Sequence, residues 1–324
     1  MERYNVGLLV EGVLNGHKGS LGKSITLVES QNERHHPLGQ ELIEKLLPYS
    51  GKSRRVGISG VPGVGKSTFI EGFGSWYLKK ERKLAVLAVD PSSEKTKGSI
   101  LGDKTRMVEL SRHPNAFIRP SATGGALGGV TRKSRETIII LEAAGYSDIF
   151  VETVGVGQSE AQVAKMVDLF LVLMLPTAGD ELQGIKRGIL ESAHAIIINK
   201  CDIDEVQTRR AEREYLNALH YFRADEKGWE PRVLSCSGLK QIGFDSIESM
   251  LDQFFNTEDK SFIDQQRKEQ QKEWYKESLE RLALEHFFNR SDVQERYQKA
   301  LSDLEAHRST PAKSLHDIAS LLDG

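Results

Sequence analysis

The sequence predicts an α/β fold with a mostly parallel central sheet, flanked by helical segments at its N-terminal and C-terminal ends. Six apolar patterns of strand length alternate with helical patterns between residues 51 and 256, and polar motifs follow several of these strands. Strands that alternate with helices form parallel sheets, because each strand must return to the same edge through a crossover. The candidate strands are Arg55–Ser59, Leu84–Val89, Asp148–Glu152, Leu169–Leu175, Ala195–Asn199 and Arg232–Ser235.

The first 50 residues form a segment of predicted helices. Apolar residues within Val6–Leu14 follow the i, i+3, i+4, i+7 spacing of one helix face, and Gly16 ends this pattern. Two further apolar stripes lie at Leu21–Val28 and Leu38–Leu47. We therefore expect residues 1–50 to be an N-terminal helical segment.

Residues 257–324 differ in character, since they are highly charged and rich in helical patterns. The pattern predicts helices over Ser261–Phe288, Val293–Ala306 and Pro311–Leu322, the last with Thr310 as its N-cap. A long terminal helix cannot bury Trp274 alone. We interpret this segment as a dimerisation arm that packs on a second copy of the chain, because most soluble oligomers are symmetric homo-oligomers. The alternative is that it folds back on its own domain.

A glycine-rich stretch after the first strand fills the pattern G-x-x-x-x-G-K-[ST] between a strand and a helix predicted over Thr68–Lys80. In this P-loop pattern the backbone N–H groups cradle phosphates, the lysine reaches the β- and γ-phosphates, and the hydroxyl ligates Mg²⁺. The chain is thus expected to bind a nucleoside triphosphate, with residues 51–256 as a P-loop domain. The predicted loop residues are Gly60, Val61, Pro62, Gly63, Val64, Gly65, Lys66, Ser67 and Thr68.

A second motif, Asn-Lys-Cys-Asp, follows the buried strand that ends near residue 198 and predicts the base. The Asp202 carboxylate can accept hydrogen bonds from guanine N1–H and N2–H₂, whereas adenine would leave it unpaired at a cost of about 1–3 kcal/mol. Asn199 would brace the phosphate loop, and the stem of Lys200 would cover the ring. A backbone N–H of the next loop would meet guanine O6. That loop consists of Ser235, Cys236 and Ser237.

Three carboxylates are expected near the triphosphate. Glu152 ends a strand in the sequence V-E-T-V-G, Asp90 ends another, and Asp103 lies in a loop between them. Carboxylates grouped at one sheet edge repel one another and the phosphates unless a divalent cation binds. We predict that Ser67, Asp90, Asp103 and Glu152 form a Mg²⁺ site.

The overall composition argues against several classes of function. The chain has 44 Lys and Arg against 46 Asp and Glu, so there is no basic footprint for nucleic acid or an anionic membrane. No signal peptide or membrane-spanning run is visible, and a cytoplasmic location is expected. The two cysteines, Cys201 and Cys236, fall in the two base-binding loops and are expected to be neighbours. They either pack around the base or form a redox pair.

Longer sequence runs resemble one family. D-P-S-S, G-S-I-L-G-D-K-T-R-M, V-E-T-V-G-V-G-Q-S-E and D-E-L-Q-G-I-K-R-G are similar to the methylmalonyl-CoA mutase-associated GTPases of the MeaB/ArgK type, over nearly the whole chain. The resemblance implies a homodimeric GTPase that assembles, protects or reactivates an adenosylcobalamin-dependent mutase. It also implies that Asp180–Gly188 form an additional switch, with Lys186 facing the nucleotide. The family has Ser-Ala where Cys236-Ser237 stand, which leaves the O6 donor open by one residue.

The expected catalytic residues are Lys66, Glu152, Gln158 and Lys186. Gln158 is the candidate for orienting the attacking water, but it can equally be a residue that opens a helix. An incomplete site predicts slow intrinsic GTP hydrolysis that a partner stimulates.

Other classes remain as alternatives. A small-molecule kinase would share the phosphate loop but has no use for the Asn-Lys-x-Asp motif. A signal recognition particle GTPase would need a basic, Met-rich domain, and the chain has only five Met. A metallochaperone of the hydrogenase or cobalt type would carry clustered Cys and His ligands, and the nine His show no such spacing. A GTPase chaperone with another client is the nearest alternative.

Overall fold

The computed structural model describes residues 4–89, 107–120, 127–153, 159–176, 187–219, 229–256 and 261–321. The chain divides into two compact units, Met1–Arg267 and Lys268–Gly324. The boundaries suggested by the sequence, after residues 50 and 256, stay predictions. Four predicted site residues lie outside the described ranges: Asp90, Asp103, Gln158 and Lys186.

One parallel sheet of seven strands forms the centre of the first unit. The strands are β1 (Arg54–Gly60), β2 (Leu84–Val89), β3 (Ala116–Arg119), β4 (Asp148–Thr153), β5 (Leu169–Met174), β6 (Ala195–Ile198) and β7 (Arg232–Ser235). Their order is β3-β2-β4-β1-β5-β6-β7, and every pair is parallel. All six predicted strands are confirmed, with ends within one residue of the prediction. Sequence reasoning missed β3, because four residues at a sheet edge are too few to show a period.

The helices also follow the predicted pattern. Those before residue 257 are α1 (Val6–Leu14), α2 (Lys18–Glu29), α3 (His36–Leu46), α4 (Lys66–Leu78), α5 (Val108–Arg112), α6 (Leu127–Ala143), α7 (Ser159–Ala164), α8 (Arg187–Glu191), α9 (Glu205–Leu219) and α10 (Phe244–Phe255). The later ones are α11 (Ser261–Phe288), α12 (Ser291–Glu305) and α13 (Pro311–Ala319). The Thr310 side chain accepts a hydrogen bond from Lys313 N, which confirms the predicted N-cap. Within the described ranges, no helix is both long enough and apolar enough to span a bilayer.

Both faces of the sheet are covered by helices, so the strands are apolar on both sides. Along β5, Leu169, Leu171 and Leu173 belong to a buried cluster that includes residues of α4 and α10. Phe170 and Val172 belong to the opposite cluster, which includes residues of α1, α2, α3 and α6. The N-terminal helices α1, α2 and α3 therefore belong to the helical layer that covers one face of the sheet.

Helix α2 is also attached to the edge strand β3 through polar contacts. Lys18 Nζ donates to the carbonyl oxygens of His113 (3.2 Å) and Ala116 (2.7 Å). Arg119 of β3 forms an ion pair with Glu29, at the end of α2. These contacts cover an edge that would otherwise expose unpaired backbone groups.

A buried ion pair fixes the amino-terminal ends of two central strands. Asp168, which is 0% exposed, accepts hydrogen bonds from Arg267 Nε (2.7 Å), Arg267 Nη2 (2.7 Å) and the backbone N–H of Arg55 (2.8 Å). Arg267 also donates to the carbonyl oxygens of Gly51 (2.5 Å) and Ser53 (2.6 Å). Arg267 thus connects the start of β5 with the segment that enters β1.

Replacing Arg267 with Met should destabilise the protein strongly. The substitution leaves the Asp168 carboxylate buried without its cation, and breaking such a pair costs about 3–5 kcal/mol. Urea denaturation followed by circular dichroism would measure the loss. As a matched control, Arg209→Met removes an exposed pair with Glu205, whose side chains are 69% and 75% accessible, and should cost less than about 1 kcal/mol. Equal losses in the two variants would contradict this role of Arg267.

Candidate nucleotide-binding site

The glycine-rich loop lies at the carboxyl end of β1, between β4 and β5. This is where strand connections leave in opposite directions, and open α/β sheets bind ligands at such a point. Gly65 has φ of 92°, and a Cβ there would come within 3.0 Å of Asn199 Nδ2. At Gly60 a Cβ would meet the carbonyl oxygen of Leu173 at 2.5 Å. Both positions therefore need glycine, for backbone conformation and for space.

Helix α4 begins directly after the loop, so its N-terminal residues present the polar groups. Lys66 Nζ donates to the carbonyl oxygen of Gly60 at 2.7 Å, which keeps the ammonium over the loop. Burial lowers the pKa of Lys66, and the carboxylates of Glu152 and Glu160 act in the opposite direction. The helix axis also directs its positive end at this region.

Two of the predicted magnesium ligands lie side by side. Ser67 Oγ is 3.4 Å from Glu152 Oε1, and Glu152 is 4% exposed at the end of β4. A hydroxyl and a carboxylate are hard oxygen donors of the kind that Mg²⁺ prefers, so the pair fits such an ion. Within the described ranges no group of three or more His, Cys, Asp or Glu side chains could hold a metal. The predicted cluster of three carboxylates depends on Asp90 and Asp103, which lie outside those ranges.

Asn199 joins three loops through its buried side chain. Its Nδ2 donates to the carbonyl oxygen of Val64 in the phosphate loop at 2.9 Å, as the sequence predicted. Its Oδ1 accepts a hydrogen bond from the backbone N–H of Gly238 at 3.0 Å, in the loop after β7. The amide is 2% exposed, so neither contact competes with water. Sequence reasoning missed Gly238, whose one signal was its place directly after the Ser-Cys-Ser run.

Lys200 and Asp202, which follow Asn199, are the remaining residues of the Asn-Lys-x-Asp motif at the site. Lys200 adopts φ of 64°, and its Nζ donates to the carbonyl oxygen of Gly63 at 2.9 Å. The Asp202 side chain is exposed and has no protein hydrogen-bond partner among the described residues. A carboxylate at this position is available to a ligand that lies over the phosphate loop.

The two cysteines are neighbours, as predicted. The backbone N–H of Cys201 donates to the carbonyl oxygen of Cys236 at 3.0 Å, which joins the two base-binding loops. Burial raises the pKa of both thiols, and the nearby Asp202 carboxylate adds to the effect. Both thiols therefore stay protonated at neutral pH, which favours packing over redox chemistry.

The loop after β7 uses more of its backbone donors than the sequence suggested. The N–H of Cys236 donates to Ile198 O (2.8 Å), and that of Ser237 donates to Ile242 O (3.1 Å). Neither group is free to meet guanine O6. Between residues 236 and 240, Leu239 alone has a backbone N–H without an acceptor among the described residues. The free donor thus lies beyond the predicted run of Ser235, Cys236 and Ser237.

Comparison with known proteins agrees with this geometry. The profile of the family described as "Methylmalonyl Co-A mutase-associated GTPase MeaB" matches residues 21–292. The GTPase ArgK of Escherichia coli (strain K12) is 42% identical over 309 residues, which cover 95% of this chain and 93% of that protein. The "Methylmalonic aciduria type A homolog, mitochondrial" of Mus musculus is 44% identical over 306 residues, covering 91% of this chain and 74% of that protein.

A crystal structure described as "LAO/AO transport system kinase" has a TM-score of 0.80 and 34% identity, with 100% of both chains covered. The family profile covers most of the chain, and the relatives match it over nearly its full length. The chain therefore belongs to the family of methylmalonyl-CoA mutase-associated GTPases called MeaB, and it is a P-loop GTPase.

Proposed function

We propose that the protein is a GTP-hydrolysing chaperone that assembles, protects or reactivates an adenosylcobalamin-dependent methylmalonyl-CoA mutase. The observation that carries the nucleotide part is the buried Asn199 amide, which connects the phosphate loop to the loop after β7. Family membership and the mitochondrial relative named for methylmalonic aciduria support the client.

The proposed chemistry follows from the groups at the carboxyl end of β1. Amides of the loop from Gly60 to Thr68 would bind the β- and γ-phosphates, and the Lys66 ammonium would neutralise charge on the oxygens between them. Ser67 and Glu152 would hold Mg²⁺, which supplies further neutralisation of the phosphates when it is bound. Gln158 stays the proposed residue for orienting water, and Lys186 the proposed second cation.

The guanine pocket would use groups from both base-binding loops. The exposed Asp202 carboxylate would accept two hydrogen bonds from guanine, while the aliphatic stem of Lys200 covers one face of the ring. The backbone N–H of Leu239, which has no acceptor among the described residues, would donate to O6. Adenine offers no donors to Asp202, so the pocket selects against ATP.

Replacing Asp202 with Asn should transfer the preference of the protein from GTP to xanthosine triphosphate. The side-chain amide that replaces the carboxylate can donate a hydrogen bond to the C2 carbonyl of xanthine. Its NH₂ group would face the C2 amino group of guanine, which is also a donor, so affinity for GTP should fall at least tenfold. Competition between the two nucleotides for a fluorescent GDP analogue would measure the change.

Asp204→Asn is the matched control for this experiment. Asp204 precedes α9, and its Oδ1 accepts from Gln207 N at 2.9 Å, a capping contact that Asn can also make. The control variant should keep the preference for GTP. An unchanged preference in Asp202→Asn would contradict the assignment of Asp202 to the guanine pocket.

Steady-state hydrolysis of GTP should rise at least tenfold when the mutase is added, which corresponds to about 1.4 kcal/mol off the barrier. The physical reason is that a site with few oriented groups around the water gains most from a partner that orders them. Phosphate release, with and without an adenosylcobalamin-dependent methylmalonyl-CoA mutase, would measure it. No stimulation, together with no complex on a gel-filtration column, would favour a GTPase with another client.

We also propose that the protein is a homodimer that associates through its C-terminal arm. Tyr275, Leu279 and Leu282 lie at i, i+4 and i+7 on α11 and are 67%, 52% and 62% exposed. These spacings place the three side chains on one face of the helix. An exposed apolar stripe of this kind is typical of a surface that another chain covers.

The variant Leu282→Glu should convert the dimer to a monomer, because the carboxylate would be buried in an apolar interface. Light scattering after gel filtration would give the mass. Leu216→Glu on α9 is the control, since Leu216 is 51% exposed and lies in the other unit. If the wild-type protein is a monomer, or if both variants stay dimeric, the arm is not the interface.

A further inference from the structure

Two buried hydroxyl groups extend the contact between β1 and β4 beyond their backbone ladder. The parallel register of these strands runs from Arg54 opposite Asp148 to Ile58 opposite Glu152. At the next position, Thr153 Oγ1 donates to Ser59 Oγ at 3.0 Å. Ser59 is 1% exposed and Thr153 is 0% exposed. A side-chain hydrogen bond thus continues the pairing where the backbone pairing of β1 with β4 stops.

The hydrogen bond between the Ser59 and Thr153 hydroxyls, which we call the hydroxyl bridge, lies beside the candidate nucleotide site. Ser59 directly precedes Gly60, the first residue of the phosphate loop, and Thr153 directly follows Glu152. On the other side of the loop, Glu152 Oε1 and Ser67 Oγ are 3.4 Å apart. Because Ser59 and Thr153 are the chain neighbours of Gly60 and Glu152, the bridge connects the start of the phosphate loop with the strand end that carries the Glu152 carboxylate.

A purely structural contact would not need polar atoms here. Ile58 and Val151, which lie one and two residues before the two hydroxyls, are apolar and pack in the core. A buried hydroxyl without a partner loses its hydrogen bonds to water, whereas a valine, which has the shape of threonine, has no such bonds to lose. A pair of hydroxyls has a geometric advantage, because a hydrogen bond fixes distance and direction more narrowly than apolar packing does.

We propose that Ser59 and Thr153 are positioning residues for GTP hydrolysis, which hold Glu152 and Ser67 at the separation that a magnesium ion requires. The inference rests on the proposed nucleotide and magnesium site. Neither hydroxyl contacts the nucleotide in this assignment. Their effect passes through Glu152 and therefore acts on the magnesium-dependent part of the reaction.

The variant Thr153→Val removes the hydroxyl and keeps the β-branched shape that the strand favours. We expect the Mg²⁺ concentration at half-maximal GTP hydrolysis to rise about tenfold, with a lower kcat. Affinity for GDP measured in EDTA should stay unchanged, because loop amides and the guanine pocket do not depend on Glu152. Thr153→Ser restores a hydroxyl and should recover most of the magnesium dependence.

Thr137→Val on α6 is the matched control. Thr137 is also 0% exposed, and its hydroxyl has no hydrogen-bond partner within the described part of the chain. Thr137→Val therefore makes the same exchange of a buried hydroxyl for a methyl group, but on a helix that carries no residue of the proposed magnesium site. Its magnesium dependence should equal that of the wild type.

A double-mutant cycle with Ser59→Ala tests whether the two hydroxyls act as a pair. The double variant should be no worse than either single variant, because each substitution alone already breaks the bridge. Equal magnesium curves for Thr153→Val and Thr137→Val, or additive losses in the cycle, would overturn the proposal. If Thr153→Val does not fold, Ser59→Ala alone decides it. A wild-type protein that fails to bind GTP would instead refute the proposed function.

Discussion

The buried side-chain amide of Asn199 is the interaction on which the geometry of the nucleotide site depends. It uses its donor on the phosphate loop at Val64 and its acceptor on Gly238, so two loops that are 174 residues apart (238 − 64) share one planar group. Because the amide is only 2% exposed, water cannot take the place of either partner. Losing one contact would leave a buried donor or acceptor unsatisfied, at about 1–3 kcal/mol each. These two contacts hold the phosphate loop and the loop after β7 in place relative to each other, and such preorganisation would lower the ordering cost of binding a nucleotide.

The opposite ends of the same strands are held in a different way. Asp168 and Arg267 neutralise each other next to the first residues of β1 and β5, and they satisfy backbone groups of Ser53 and Arg55 as well. The amino ends thus carry a structural ion pair, while the carboxyl ends carry the glycines and polar side chains of the candidate nucleotide site. This division follows from parallel strands, since all carboxyl ends meet at one edge.

Sequence patterns revealed those parts of the structure that have a local signal. The phosphate loop, six of the strands and the terminal helices follow from short motifs and periods, and Asn199 and Asp202 follow from a motif after a buried strand. Strand β3 was missed because four residues show no period. The contacts of Gly238 and the bridge between Ser59 and Thr153 join residues far apart in the chain. No local pattern encodes such contacts, because they arise only when the sheet has formed.

The two halves of the site should respond differently to the loss of the γ-phosphate. Guanine is the same in GTP and GDP, so the proposed pocket around Asp202 would bind both nucleotides equally and shift no equilibrium between them. A conformational change that a client protein could recognise must come from groups near the γ-phosphate, because only they interact differently with GTP and GDP. Among the described residues those groups are Lys66, Ser67 and Glu152. Among these residues, a change that a client senses would therefore begin at the start of α4 or at the end of β4, next to the bridge between Thr153 and Ser59.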